Sequence, residues 1–101
     1  MGTLKWIQQW YFEQIDGEWE HQFGMCIETL DNPGWRVKIS IENTDVKDKT
    51  FEDINIERNE KDWIHCKIEY DKEGNDSHFF GNGGQMNLGE ILDIFKLWVE
   101  K

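Results

Sequence analysis

The chain has 101 residues and a formal net charge of −10, from 11 Lys and Arg against 21 Asp and Glu. That length supports one core and not two, and 38% hydrophobic residues with six Trp and six Phe exclude a disordered chain. The acidic excess repels phosphate at every distance, so nucleic acid and anionic membrane surfaces are disfavoured and a basic protein partner is favoured.

The first element is a helix from about Thr3 to Ile15. Leu4, Ile7, Tyr11 and Ile15 fall at helical spacing, Trp6 and Trp10 add a second row, and Thr3 stands where a cap belongs. Asp16-Gly17 ends it. From Phe23 the period changes to two. Trp35, Val37, Ile39 and Ile41 alternate with Arg36, Lys38, Ser40 and Glu42, the pattern of a half-buried antiparallel strand, and Phe23 to Leu30 reads as its hairpin partner. Asn32-Pro33-Gly34 between them suits a type II turn. Phe51 to Arg58 forms a third strand. Trp63 to Tyr70 forms a fourth, with Ile64, Cys66, Ile68 and Tyr70 on one face and Trp63, His65, Lys67 and Glu69 on the other. Ser77 to Phe80 is a short fifth, and Gly81, Gly83 and Gly84 read as a flexible loop.

The closing helix carries the strongest signal. Leu88, Ile91, Leu92, Phe95, Trp98 and Val99 share one face, Asn87 and Glu90 match a capping box, and Met86 with Ile91 matches a hydrophobic staple. Sequential strands between terminal helices imply an α+β fold: an antiparallel meander of four or five strands, with both helices packed on one face of the sheet. Residues 1–101 read as a single domain. No apolar run is long enough to span a membrane, and the first residues lack the pattern of a secretion signal, so a cytoplasmic setting with reduced thiols is expected.

Candidate chemistry is sparse. Cys66 follows His65, but neighbours on a strand point to opposite faces, which makes Cys66 a buried structural thiol; Cys26, also in an apolar run, reads the same way. His21, His65 and His78 lie at no metal-ligand spacing, so no metal and no cofactor is expected. Asp16, Glu18 and Glu20 with His21 could serve hydrolysis if held in a cleft. The glycine cluster lacks the Lys-Ser/Thr of a phosphate loop. The acidic distribution is more telling. Between Trp6 and Trp35 stand six acids and no Lys or Arg, with Trp19 flanked by Glu18 and Glu20. Charges that steer around a ring that anchors suit a surface for a basic protein. The candidate partner contacts are therefore Asp16, Glu18, Trp19 and Glu20, with Trp63 and His65 on the polar face of the fourth strand. Trp19 folded back into the core is the competing reading. Catalytic residues are expected to be none; the alternatives are a small enzyme using Cys66 or the Asp16, Glu18 and His21 cluster, and a small-ligand module with a Trp-lined pocket.

One further set of residues spans nearly the whole chain. It comprises Trp6, Trp10-Tyr11, Asp16-Gly17-Glu18-Trp19-Glu20-His21, Leu30-Asp31-Asn32-Pro33-Gly34-Trp35, Asp62-Trp63-Ile64, Gly83-Gly84, Asn87-Leu88 and Trp98. It resembles the immunity protein 53 family of bacterial polymorphic toxin systems. The resemblance implies a small cytoplasmic protein made beside a secreted toxin, which binds that toxin and blocks it. Many such toxins are nucleases with basic active faces, and an acidic inhibitor suits that class. The expected partner is a cognate toxin protein with a basic surface.

Overall fold

The computed structural model describes residues 2–70, 73 and 76–101. Helix α1 (Thr3–Gln14) and a single turn of helix, α2 (Trp19–Gln22), lead into strands β1 (Met25–Leu30), β2 (Gly34–Ser40), β3 (Ile54–Asn59), β4 (Asp62–Glu69) and β5 (His78–Gly83), and helix α3 (Leu88–Glu100) closes the chain. The strands form one five-stranded antiparallel sheet in the order β1-β2-β5-β4-β3. The fold is α+β, with terminal helices on one face of the sheet, as the sequence suggested.

The strand order departs from a simple meander at one place. β5 returns through the middle and pairs with β2 on one side and β4 on the other. It also runs through Gly83, where the sequence suggested a loop. The reason lies in the helix above it. A Cβ at Gly81 would stand 2.6 Å from Ile91 Cγ2, and one at Gly83 would stand 2.8 Å from Ile91 Cδ1. The glycines thin the inner face of β5 so that α3 sits against the sheet, an advantage no local propensity scale records.

The alternation holds along the middle of β2 and β4 but not at their ends. Tyr70, expected on the apolar face, lies beyond β4 and is exposed, while Ser40 and Glu42, expected on the polar face, are buried where the chain leaves β2. Val37 and Ile39, Ile64, Cys66 and Ile68, with Phe79 of β5, are buried under the helices. The packing is built around Phe95, whose ring meets Trp10 and Phe79 at 5.1 Å, Trp98 at 6.0 Å and Trp6 at 6.1 Å between centroids. α3 buries Ile91, Leu92, Phe95 and Trp98, each worth about 1.5–3 kcal/mol of transfer free energy. α1 departs from its expected stripe. Ile7 and Trp10 are buried and Trp6 half-buried, but Leu4, Tyr11 and Ile15 are exposed, Leu4 to 67%. The apolar side chains of this helix are spread around it among Lys5, Gln8, Gln9, Glu13 and Gln14, and the larger Trp side chains take the face that meets α3.

Local signals were re-employed at several termini. Gly2, not Thr3, occupies the N-cap of α1, and the Thr3 hydroxyl donates to Asp93 Oδ1 on α3. Asn32–Pro33 is a cis peptide in place of the type II turn. Met86 is exposed and staples nothing. Asn87 caps no N–H of its own helix. Its Nδ2 donates to Asp62 Oδ1 at 2.9 Å and Glu90 Oε1 at 3.1 Å, while its Oδ1 accepts from the Trp63 N–H at 3.4 Å, which fastens the start of α3 to β4. Arg58 reinforces that corner through Asp62 at 2.7 Å and Glu90 at 3.0 Å. Both carboxylates are held below their ordinary pKa, Asp62 by Asn87 and then Arg58, Glu90 chiefly by Arg58.

Candidate partner-binding surface

The acidic corner is built by its own backbone. Past α1 the chain turns at Gly17, with φ 94°, and one Asp16 oxygen accepts the N–H groups of Glu18 and Trp19, each at 2.9 Å. Glu20 reaches back to the N–H of Asp16 at 3.1 Å and of Gly17 at 3.0 Å. These reciprocal bonds cap the turn of α2 in the manner of a capping box. They lower both carboxyl pKa values: for Asp16 the Trp19 N–H contributes most, and for Glu20 its own backbone N–H, followed by those of Asp16 and Gly17. Asp16 and Glu20 are thus structural as well as anionic, whereas Glu18 stands exposed.

Trp19 is a core residue. It is 2% exposed, its Nε1 donates to the Glu42 carbonyl at 2.9 Å, and its ring meets Trp10, Tyr11 and Phe23 at 6.1–6.3 Å. It presents no side chain to a partner; it pins the acidic corner to the body of the fold. Glu42 is buried in the same knot, where its carboxylate takes the Ser77 N–H at 3.1 Å and pairs with Lys47 at 2.9 Å.

Trp63 and His65 lie at the other end of the molecule. In the sheet register, Ser40 aligns with His78 and Glu69 near the Trp19 end, and Trp35 aligns with Gly83 and Ile64 near the Trp63 end. The structure therefore separates the expected contacts into two groups. Trp63 and His65 face away from the helices, with ring centroids 5.2 Å apart, and His65 Nε2 lies 3.1 Å from Glu57 Oε1. They line an open depression of about 540 Å³ together with Asn32, Glu57, Arg58, Asn59 and Glu60.

The same uncovered face holds side chains the sequence reading did not select. Phe80 lies between the Arg36 guanidinium, 5.5 Å from its ring centre, and the Lys67 ammonium, at 5.9 Å. Arg36 also pairs with Glu28 at 3.4 Å. Continuing the alternation of the fifth strand as far as Gly83 would have placed Phe80 and Asn82 on this face.

The groups considered for catalysis do not converge. Cys66 is buried on the helix side of β4, where burial pushes its thiol pKa up to about 12, and His65 points to the opposite face. Cys26, expected to be buried, is exposed: its strand is at the sheet edge and its side chain lies on the uncovered face. His21 is exposed beside Glu20 at 3.8 Å. Among the described residues no group of three or more His, Cys, Asp and Glu is placed to hold a metal ion, and no helix is long and apolar enough to cross a membrane.

Among the described residues, this acidic α+β chain therefore combines an aromatic-bearing open sheet face with thiol, imidazole and carboxylate groups that lie apart. Residues 4–100 match the family model of immunity protein 53, and the chain belongs to that family. No curated protein and no solved structure shows significant similarity to it.

Proposed function

We propose that this chain neutralises a cognate bacterial toxin by forming a stoichiometric complex that covers the toxin's working surface. Membership of the immunity protein 53 family carries this reading. The net charge of −10 favours a toxin with a basic active face, a nuclease being the leading class, because complementary potential speeds encounter and suppresses wrong partners. Asp16, Glu18 and Glu20 add to the steering field at one end of the molecule, and Trp63 and His65 supply contact at the other. The action is binding and not catalysis: a thiol with a pKa near 12 is no nucleophile at neutral pH, and the Asp16 and Glu20 carboxylates are committed to backbone N–H groups. The chain works as one unit, without metal or cofactor, in the cytoplasm of the producing bacterium.

The test is co-expression of the tagged chain with the toxin domain encoded beside it. Co-purification at equal stoichiometry, with growth restored and toxin activity abolished, is the expected result. Toxin activity that persists at saturating concentrations of the chain would refute the reading.

A further inference from the structure

β3 is an open edge of the sheet: β4 pairs with one side of it, and among the described residues no strand pairs with the other. Edge strands offer a row of N–H and C=O groups to any further strand, and natural proteins guard them with charged side chains, especially Lys, with Pro, with bulges or with extreme shortness. β3 is six residues long and contains neither Lys nor Pro, and its charged side chains, Glu57 and Arg58, lie toward its C-terminal end. Its register shift lies between Glu57 and Asn59, which leaves Ile54 to Glu57 regular.

Depressions flank this edge on both faces of the sheet. On the helix side a groove of about 440 Å³ lies between α3 and the 49–54 segment that enters β3, lined by Phe51, Ile54, Ile94, Leu97 and Trp98, with Leu97 65% exposed. On the opposite side lies the depression beside Trp63 and His65. Side chains of a strand alternate between faces. A strand added to β3 would therefore send one set into the apolar groove and the other toward Trp63.

The charge around the edge selects the occupant. Glu52, Asp53 and Glu60 are exposed and hold no ion pair among the described residues. Of the nearby cations, Lys49 is bound to the carbonyls of Val99 and Lys101, and Arg58 to Asp62 and Glu90. Lys61 is exposed beside Glu60 and Lys101 lines the groove, which leaves two cations against the three acids Glu52, Asp53 and Glu60. The other edge, β1, differs: its single charged residue, Glu28, is paired with Arg36, and the depression beside it contains Lys38.

We propose that the toxin docks at β3, adding an extended segment that carries Lys or Arg as a sixth strand, with its apolar side chains in the groove beside Leu97. This rests on the toxin-binding reading above. The experiment uses the purified chain and the adjacent-encoded toxin domain, inactivated at its catalytic residue. Hydrogen exchange should slow at the amides of Ile54–Asn59 on complex formation. Glu52→Lys with Asp53→Lys should slow association about tenfold at low salt and flatten its salt dependence. Leu97→Lys should weaken the complex about tenfold or more. All three positions are exposed or loosely covered, and circular dichroism with a melting curve verifies that the variants fold. If wild type binds the toxin but β3 exchange and variant affinities are unchanged, the docking site is wrong and the toxin-binding reading stands. If wild type does not bind, both fall. Protection of β3 that tracks chain concentration without toxin would make a second copy the occupant and overturn the proposal.

Discussion

Gly81 and Gly89 should answer the same substitution with opposite signs. Replacing Gly by Ala inside a regular element normally helps by about 0.5–1 kcal/mol, since the unfolded chain loses freedom. At Gly89 on α3 nothing stands within 4 Å of an added Cβ, so Gly89→Ala should stabilise by about that amount. At Gly81 the added Cβ would lie 2.6 Å from Ile91 Cγ2, 3.3 Å from Phe79 Cε2 and 3.4 Å from Cys66 Sγ. Those side chains are fully or nearly fully buried, so none can swing into solvent. α3 must shift or Ile91 must leave its rotamer, and overpacking of this kind costs about 1–3 kcal/mol, which exceeds the entropic gain. For a domain near 100 residues, a net loss of about 1–2 kcal/mol lowers Tm by roughly 4–16 °C. Urea unfolding with the slope held constant measures the difference. Ile91→Ala removes the clashing methyl group, so in the double variant Gly81→Ala should cost less than it does alone, with a coupling of about 1 kcal/mol. Gly81→Ala as stable as wild type would refute the account of why glycine occupies the centre of this sheet.

Thiol chemistry gives a second check: a disulfide reagent at neutral pH should titrate one thiol per native chain, Cys26, and both after denaturation, because Cys66 is buried with its pKa raised to about 12. Two fast thiols in the native state would contradict the buried position of Cys66. Acid should destabilise the acidic corner. The Asp16 and Glu20 pKa values are depressed in the fold from 3.8 and 4.5, so their stabilisation is present above those values and is lost as pH falls through the folded ones. Asp16→Asn should flatten the fall of Tm below about pH 4; an unchanged profile would remove the backbone caps from the explanation. Finally, Trp19→Phe deletes the bond to the Glu42 carbonyl and should cost about 1–3 kcal/mol of stability while leaving toxin affinity per folded molecule intact. Loss of binding without loss of stability would return Trp19 to the interface.

Local periodicity was written into the residues themselves. The stripe of α3 and the two faces of β4 follow from spacings of 3.6 and 2, and both appear in the structure with the side chains so assigned, apart from Tyr70, which lies past the end of β4 and is exposed. The opposition of His65 and Cys66 follows from the same pleat, and the acidic balance is a property of composition alone. Choices between equivalent apolar surfaces were a different matter. α1 offers apolar side chains on most of its circumference, and only the approach of Phe95, more than eighty positions away in the chain, selects Trp6, Ile7 and Trp10 for burial. Trp19 flanked by two acids reads equally well as anchor or as core until the Glu42 carbonyl arrives to accept its indole N–H. Gly81 and Gly83 look like a loop until α3 lies across them, and β5 takes the centre of the sheet because it is thin enough to carry that helix. The separation of Asp16, Glu18 and Glu20 from Trp63 and His65, and the open edge at β3, are likewise consequences of strand order. Along-chain spacing determines which face a side chain takes; strand order and helix placement determine what that face meets, because those contacts join segments that no local pattern links.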